Sequence, residues 1–198
     1  MSKRNIVLAS GSPRRSELMH MLGFSDVIIH PADGAEHPPR GATPEETVKA
    51  LSRAKAEEVA ALFDEETLII AADTIVWLDG EILGKPHSED EAFSMLKRLS
   101  GRAHEVYTGV TVLDGEGELC EAERSVVHFR QLADEEIRRY IATGEPMDKA
   151  GAYGAQGKGA LFVKPKQLPA YRGQSPERPH GTCAQRQSFK CSCIKKHT

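Results

Sequence analysis

Apolar positions along residues 5–164 change period repeatedly, and each change predicts an element. The run Asn5-Ile6-Val7-Leu8-Ala9 predicts a buried strand. Ser12 reads as an N-cap with Pro13 at the first helical position. It opens a helix to Leu22 that turns Leu18, Met21 and Leu22 inward and stops at Gly23. Asp26 to His30 predicts a second strand. Beyond a polar loop with Asp33, Glu36 and two prolines, Thr43-Pro44-Glu45-Glu46 is a capping box. It opens a helix to about Phe63 with the apolar stripe Val48, Leu51, Val59 and Leu62. Thr67 to Leu78 is apolar and β-prone, and Asp79-Gly80 predicts a hairpin turn. Ser88 caps a helix to Leu99. His104 to Leu113 and Glu118 to Leu132 predict two strands joined through Asp114-Gly115. Asp134 to Thr143 predicts a helix ended by Gly144, and Ala160 to Val163 a short strand. Strands and helices interleave, which predicts an α/β or α+β class with a mixed sheet.

Composition alters this picture at one place. Residues 165–198 carry seven Lys or Arg against one Glu, a balance of +6, and leave residues 1–164 at −9. The tail has four prolines, no valine and no helical or strand period. It reads as disordered. Three of the four cysteines, Cys183, Cys191 and Cys193, lie there at a spacing that fits no common zinc pattern. The division is therefore a domain over 1–164 and an atypical basic tail over 165–198. No run of about 18 apolar residues predicts a membrane span, and the N-terminus lacks a signal-type apolar stretch. An intracellular, cytoplasmic protein is expected. No basic face outside the tail suggests nucleic acid.

Several residues break local rules. Arg14 and Arg15 occupy the first turn of a helix, where the macrodipole disfavours cations by roughly 0.3–1 kcal/mol each. Either both point into solvent, or an anion sits at that helix terminus. Lys55 shares the apolar face of Leu51 and Val59, and so either snorkels outward or reaches a ligand. Asp73 interrupts an apolar strand; it marks a bulge at a surface edge, holds a metal or acts as a base. Lys85, in Gly84-Lys85-Pro86, is either an ordinary loop lysine or folds back toward the same sheet end. Asp148-Lys149-Ala150-Gly151-Ala152-Tyr153-Gly154-Ala155-Gln156-Gly157 is a glycine-rich loop whose backbone N–H groups can cradle an anion. Cations, carboxylates and such a loop together suit a polyphosphate with Mg²⁺ or Mn²⁺. No Gly-x4-Gly-Lys-Ser/Thr P-loop is present.

With these residues assembled, the chain resembles the Maf family of nucleoside triphosphate pyrophosphatases over residues 5 to about 164. The resemblance rests on Ser10-x-Ser12-Pro13-Arg14-Arg15, Ala72-Asp73-Thr74-Ile75-Val76 and Gly84-Lys85-Pro86. It extends through Ser100-Gly101-Arg102-x-His104-x-Val106-x-Thr108-Gly109 and the run from Gly144-Glu145-Pro146 to Gln156-Gly157. It implies an elongated mixed sheet flanked by helices, similar to the inosine triphosphatase fold, with two lobes and a central cleft. It also implies a divalent metal, commonly a dimer, and hydrolysis of a nucleoside triphosphate to monophosphate and pyrophosphate. By position it implies Asp73 as proton acceptor, with Lys55 and Lys85 beside it at the phosphates. Ser10 and Arg15 also contact phosphates, and Arg14, Thr74 and Gln156 set base specificity. Glu36 joins Asp73 as a metal carboxylate. The residues look like the branch acting on dTTP and UTP rather than on 7-methyl-GTP. The family is also associated with inhibition of septum formation, which keeps a binding role open. Past Phe162-Val163 the family pattern stops, so the tail is expected to be out of frame.

Overall fold

The computed structural model describes residues 4–34 and 37–165. Glu36 and the tail from Lys166, with its expected disorder or altered frame, lie outside the described residues. The elements are β1 (Ile6–Leu8), α1 (Pro13–Met21), β2 (Val27–Ile29), α2 (Pro44–Ala60), β3 (Leu68–Leu78) and β4 (Glu81–Leu83). There follow α3 (Glu89–Leu99), β5 (Ala103–Leu113), β6 (Glu118–His128) and α4 (Asp134–Ile141), then short 3₁₀ turns over Glu145–Asp148, Ala150–Ala152 and Lys158–Phe162.

The strands form one mixed sheet in the order β2-β1-β3-β5-β6, with β4 hairpinned onto the end of β3. β1 runs parallel to both β2 and β3, whereas β3, β5 and β6 are antiparallel neighbours. Alternate residues of a strand face opposite sides, and the core divides accordingly. Ile69 and Ala71 of β3 join Val7, Ala9, Ala56 and Val59 in a cluster under α2. Val76 and Leu78 join Leu96, Leu99, Phe129, Ile137, Tyr140, Tyr153 and Phe162 in a second cluster against α3 and α4.

Local chemistry explains most boundaries. The Thr43 hydroxyl accepts from the Glu46 N–H while the Glu46 carboxylate accepts from the Thr43 N–H, closing the capping box that starts α2. The Ser88 hydroxyl accepts from the Glu91 N–H and starts α3. Asp79 and Gly80 take φ values of 54° and 86°, the doubly positive pair that a tight hairpin between right-twisted strands requires.

Four expectations need correction. Leu18, Met21 and Leu22 are 45%, 76% and 73% exposed, and α1 buries Met19 instead. Ser12 takes the N-cap position but its hydroxyl caps nothing; its N–H donates to the Ser10 hydroxyl. Residues 160–163 are not a strand: Lys158–Phe162 is a 3₁₀ turn, and only Val163 makes a single antiparallel bridge, to Phe129. Leu62 also leaves the expected stripe of α2, at 64% exposed.

Candidate active site

Sheet pairing leaves a window on β3. β1 covers one of its edges over Leu68–Ile70, and β4 covers the same edge from Val76 to Leu78. Between them, residues 71–75 keep β5 on one side and no strand on the other among the described residues. Asp73 lies in that window. Its pairing with β5 is regular, Ile69 opposite Leu113 through Trp77 opposite Glu105, with Asp73 opposite Gly109. The bulge reading of Asp73 is therefore excluded.

Arg15 fills the window from α1. Its guanidinium donates to the Ala72 carbonyl at 2.7 Å, to the Ser10 hydroxyl at 3.0 Å and to the Thr74 hydroxyl at 3.4 Å. The Thr74 hydroxyl in turn pairs with that of Thr108 at 3.0 Å. A planar fork spanning loop and strand uses arginine's geometry; an ammonium lacks it. Arg15 thus does not point into solvent.

Asp73 faces α2, and Lys55 on that helix is ion-paired with its carboxylate. Neither side chain is well hydrated: Lys55 is 18% and Asp73 8% exposed. Two features seat α2 on the sheet. The Ser52 and Thr111 hydroxyls meet at 2.8 Å in the interior. Gly109 lies directly under the helix backbone, where a Cβ would come within 2.3 Å of the Val48 carbonyl oxygen.

Arg14 diverges from Arg15. Its guanidinium lies against Gly154, where a Cβ would sit 3.0 Å from its Nη1. Gln156 is exposed at the apex of the same loop. Ser10, Arg15 and Thr74 therefore meet at the edge of the window, Lys55 and Asp73 pair on its α2 face, and Arg14 meets the loop that carries Gln156. Lys85 is exposed, and no hydrogen bond or ion pair among the described residues reaches it. Its neighbour Gly84 accepts from the Gly151 N–H at 3.0 Å, tying that turn to the glycine-rich loop.

Several N–H groups in and just after the loop already have acceptors. The Glu145 carboxylate accepts from Lys158 N–H at 3.0 Å, Gly159 N–H at 3.3 Å and the Tyr140 hydroxyl at 2.9 Å. The Tyr140 oxygen accepts from Gly154 N–H at 3.2 Å. Burial pushes the Glu145 pKa up, but the two N–H groups, the phenol and Lys149 outweigh it and hold it below the usual carboxylate value. Burial first, then Glu145, push the Tyr140 phenol well above its ordinary value, against the Gly154 N–H. Sequence reasoning missed Tyr140 and Glu145 in this network, and Thr108 beside Thr74 at the window. Glu145, with glycines at 157 and 159, carried the available signal: a carboxylate near in sequence to a turn with room for it.

No group of three or more His, Cys, Asp or Glu side chains able to hold a metal stands together among the described residues. Asp73 alone does not make a resident metal cage, and its carboxylate already faces Lys55. A cavity of about 460 Å³ between the end of α2 and the β5–β6 turn contains none of these residues. Its lining includes Asp64, Glu65, Glu116 and Glu118, which repel a polyphosphate.

A family model described as Maf-like protein matches residues 5–167. The chain belongs to the Maf family. A protein of Carboxydothermus hydrogenoformans is 52% identical over 160 residues, covering 80% of this chain and 84% of the relative. One of Caldicellulosiruptor bescii is 49% identical over 166 residues, covering 81% and 83%. One of Pyrococcus furiosus is 47% identical over 161 residues, covering 81% and 83%. All three are named dTTP/UTP pyrophosphatase. Among solved structures, a Mycobacterium abscessus nucleoside-triphosphatase (dITP/XTP pyrophosphatase) aligns with a TM-score of 0.42 at 17% identity, over 65% of this Maf chain and 75% of that one. No helix among the described residues is long and apolar enough to cross a membrane.

Proposed function

We propose that this chain hydrolyses dTTP and UTP to the nucleoside monophosphate and pyrophosphate. The observation that carries this reading is Asp73. It is a buried carboxylate in a regular strand, set in the window of β3 with Lys55 on one side and the Arg15 fork at its edge. An apolar strand interior does not retain a carboxylate cheaply, and two cations beside it match a substrate of high negative charge. The names of the relatives supply the substrate class.

Cleaving the anhydride between the first and second phosphates adds water across it: oxygen to phosphorus, proton to a base. Asp73 is the base in this reading. Lys55 carries three N–H donors, so it can keep one on Asp73 and turn another to a phosphate oxygen. Ser10 and Arg15 meet the phosphates in this reading, with Arg15 bonded to Ser10 and Thr74, and Lys85 joins them from its exposed turn. Charge developing on phosphate oxygens is stabilised by such prearranged donors. Arg14 against Gly154, Gln156 on the same loop, and Thr74 select the base, and the Gln156 amide can both donate to and accept from the edge of uracil or thymine. Mg²⁺ or Mn²⁺ belongs to this reading as the counter-ion of the triphosphate, since Mg²⁺ binds through substrate phosphates and one or two carboxylates. Asp73, and Glu36 outside the described residues, are the candidate carboxylates.

Incubation with dTTP, UTP, CTP and 7-methyl-GTP in Mg²⁺ or Mn²⁺, with products separated by chromatography, tests the proposal. Monophosphate and pyrophosphate from dTTP and UTP are expected. A profile led by 7-methyl-GTP, or every triphosphate left intact, overturns it.

A further inference from the structure

The glycine-rich turn that carries Gln156 reads in sequence as an anion cradle, yet its interior already holds an anion, the carboxylate of Glu145. One oxygen accepts from Gly159 N–H and the Tyr140 hydroxyl, the other from Lys158 N–H. Tyr140 extends the hold to the other end of the turn by accepting from Gly154 N–H. A further bond, Gly157 N–H to the Gly154 carbonyl at 3.2 Å, closes the turn on itself. The glycines are shaped for this occupant. A Cβ on Gly157 would stand 2.3 Å from a Glu145 carboxylate oxygen, and one on Gly159 would stand 2.9 Å from the Tyr140 oxygen. Only Ala155 and Gln156 are left at the apex, both exposed, with Arg14 packed against Gly154 beneath them.

We propose that Glu145 is a positioning residue for base selection: by filling the turn it fixes where Gln156 stands toward the base. The Lys158 and Gly159 amides are not open to a phosphate, because both donate to Glu145. This inference rests on the reading of the chain as a dTTP and UTP pyrophosphatase with Gln156 at the base.

The arrangement makes three separable expectations. First, in Glu145→Ala the amides of Lys158 and Gly159 lose their acceptor and exchange hydrogen about tenfold faster or more, while β3 and β5 amides keep their rates. Second, the ratio of kcat/KM for UTP over CTP falls about tenfold, through a rise in KM for UTP more than a fall in kcat. Third, in a Gln156→Ala background the same Glu145→Ala change moves that ratio less than about twofold, because the two residues act through one contact.

Where Glu145→Ala does not fold, Glu145→Gln serves. Its amide oxygen keeps Tyr140 and Gly159, but its NH₂ group opposes Lys158 N–H, so the Lys158 amide alone should speed up. An unchanged UTP to CTP ratio in an active Glu145→Ala protein overturns the proposal. So does an equal drop in the Gln156→Ala background, which marks Glu145 as merely structural. If the wild-type chain cleaves no triphosphate, the pyrophosphatase reading fails. The exchange rates then decide the positioning claim alone, unchanged rates at Lys158 and Gly159 refuting it.

Discussion

Lys55 on α2 and Asp73 in the middle of β3 form an ion pair whose side chains are 18% and 8% exposed. Removing one member of such a pair strands the other's charge, which typically costs about 3–5 kcal/mol. Both residues are also the ones placed nearest the proposed chemistry. Stability and turnover are therefore coupled at this pair, and the two have to be measured separately.

Asp73→Asn keeps shape and removes the base. Turnover on UTP should fall roughly 10²-fold or more, the usual cost of losing a general base. Steady-state rates check this, with thermal unfolding as control. Near-native turnover would remove Asp73 from the mechanism.

Lys55→Met keeps the stem of the side chain but leaves Asp73 buried without its ammonium. The melting temperature should drop, and KM for UTP should rise. Adding Asp73→Asn to Lys55→Met should restore most of the stability, since an amide is cheaper to bury than a carboxylate, while turnover stays low. A double variant no more stable than Lys55→Met would show that the stranded Asp73 carboxylate is not what destabilises it.

Arg15→Lys tests the fork. A lysine cannot reach the Ser10 hydroxyl, the Ala72 carbonyl and the Thr74 hydroxyl in one plane. Affinity for the triphosphate is expected to weaken about tenfold or more, in line with a lost charge-assisted hydrogen bond of about 1.5–3 kcal/mol. Binding of a non-hydrolysable UTP analogue measures it, and unchanged affinity excludes Arg15 from phosphate contact.

Gln156→Glu loses the amide donor and adds a charge near the phosphates. Activity should fall on all nucleotides and the preference for UTP over CTP should flatten. A variant that keeps the wild-type ratio would take Gln156 out of base selection.

His104 gives the fold a pH dependence. Its ring is 2% exposed, its Nε2 pairs with the Tyr153 hydroxyl at 2.7 Å, and its Nδ1 has no partner among the described residues. Burial, and secondarily His128, push its pKa from 6.5 down to about 4. The folded state thus holds the ring neutral, and that contribution is complete above about pH 6.5. As pH falls from 6.5 toward 4 the unfolded chain takes up a proton that the folded chain refuses, and about 3 kcal/mol of stability is lost. Urea unfolding at pH 7.5, 5.5 and 4.5 should show the fall, and His104→Gln should flatten it.

What the sequence disclosed was whatever was decided locally. The Thr43 box, the Ser88 cap and the Asp79-Gly80 turn involve neighbours a few residues apart, and each stands where it was expected. The face of α1 was not legible, because periodicity says which residues share a side and not which side finds a partner; Leu18 and Leu22 share one with nothing described upon it. The segment around Leu161-Phe162-Val163 looked like a strand from its residues, but Lys158 and Gly159 donate to Glu145 and the chain turns there instead. At the site, anomalous residues were visible one by one. That Lys55 reaches Asp73 depended on the placement of α2 over β3, and that Arg15 reaches the Ala72 carbonyl depended on a gap in strand pairing; no local pattern encodes either.

Gly109 sits opposite Asp73 on β5 and directly below the Val48 carbonyl of α2. It is the stop against which the helix rests, so the height of α2 above the sheet is set by an absent methyl group. Alanine there would put an atom 2.3 Å from that carbonyl oxygen, and the helix would have to be jacked upward, carrying the Lys55 ammonium with it. The reach of a cation to its carboxylate is thus gauged from the neighbouring strand, by a residue that touches neither and has no chemistry of its own.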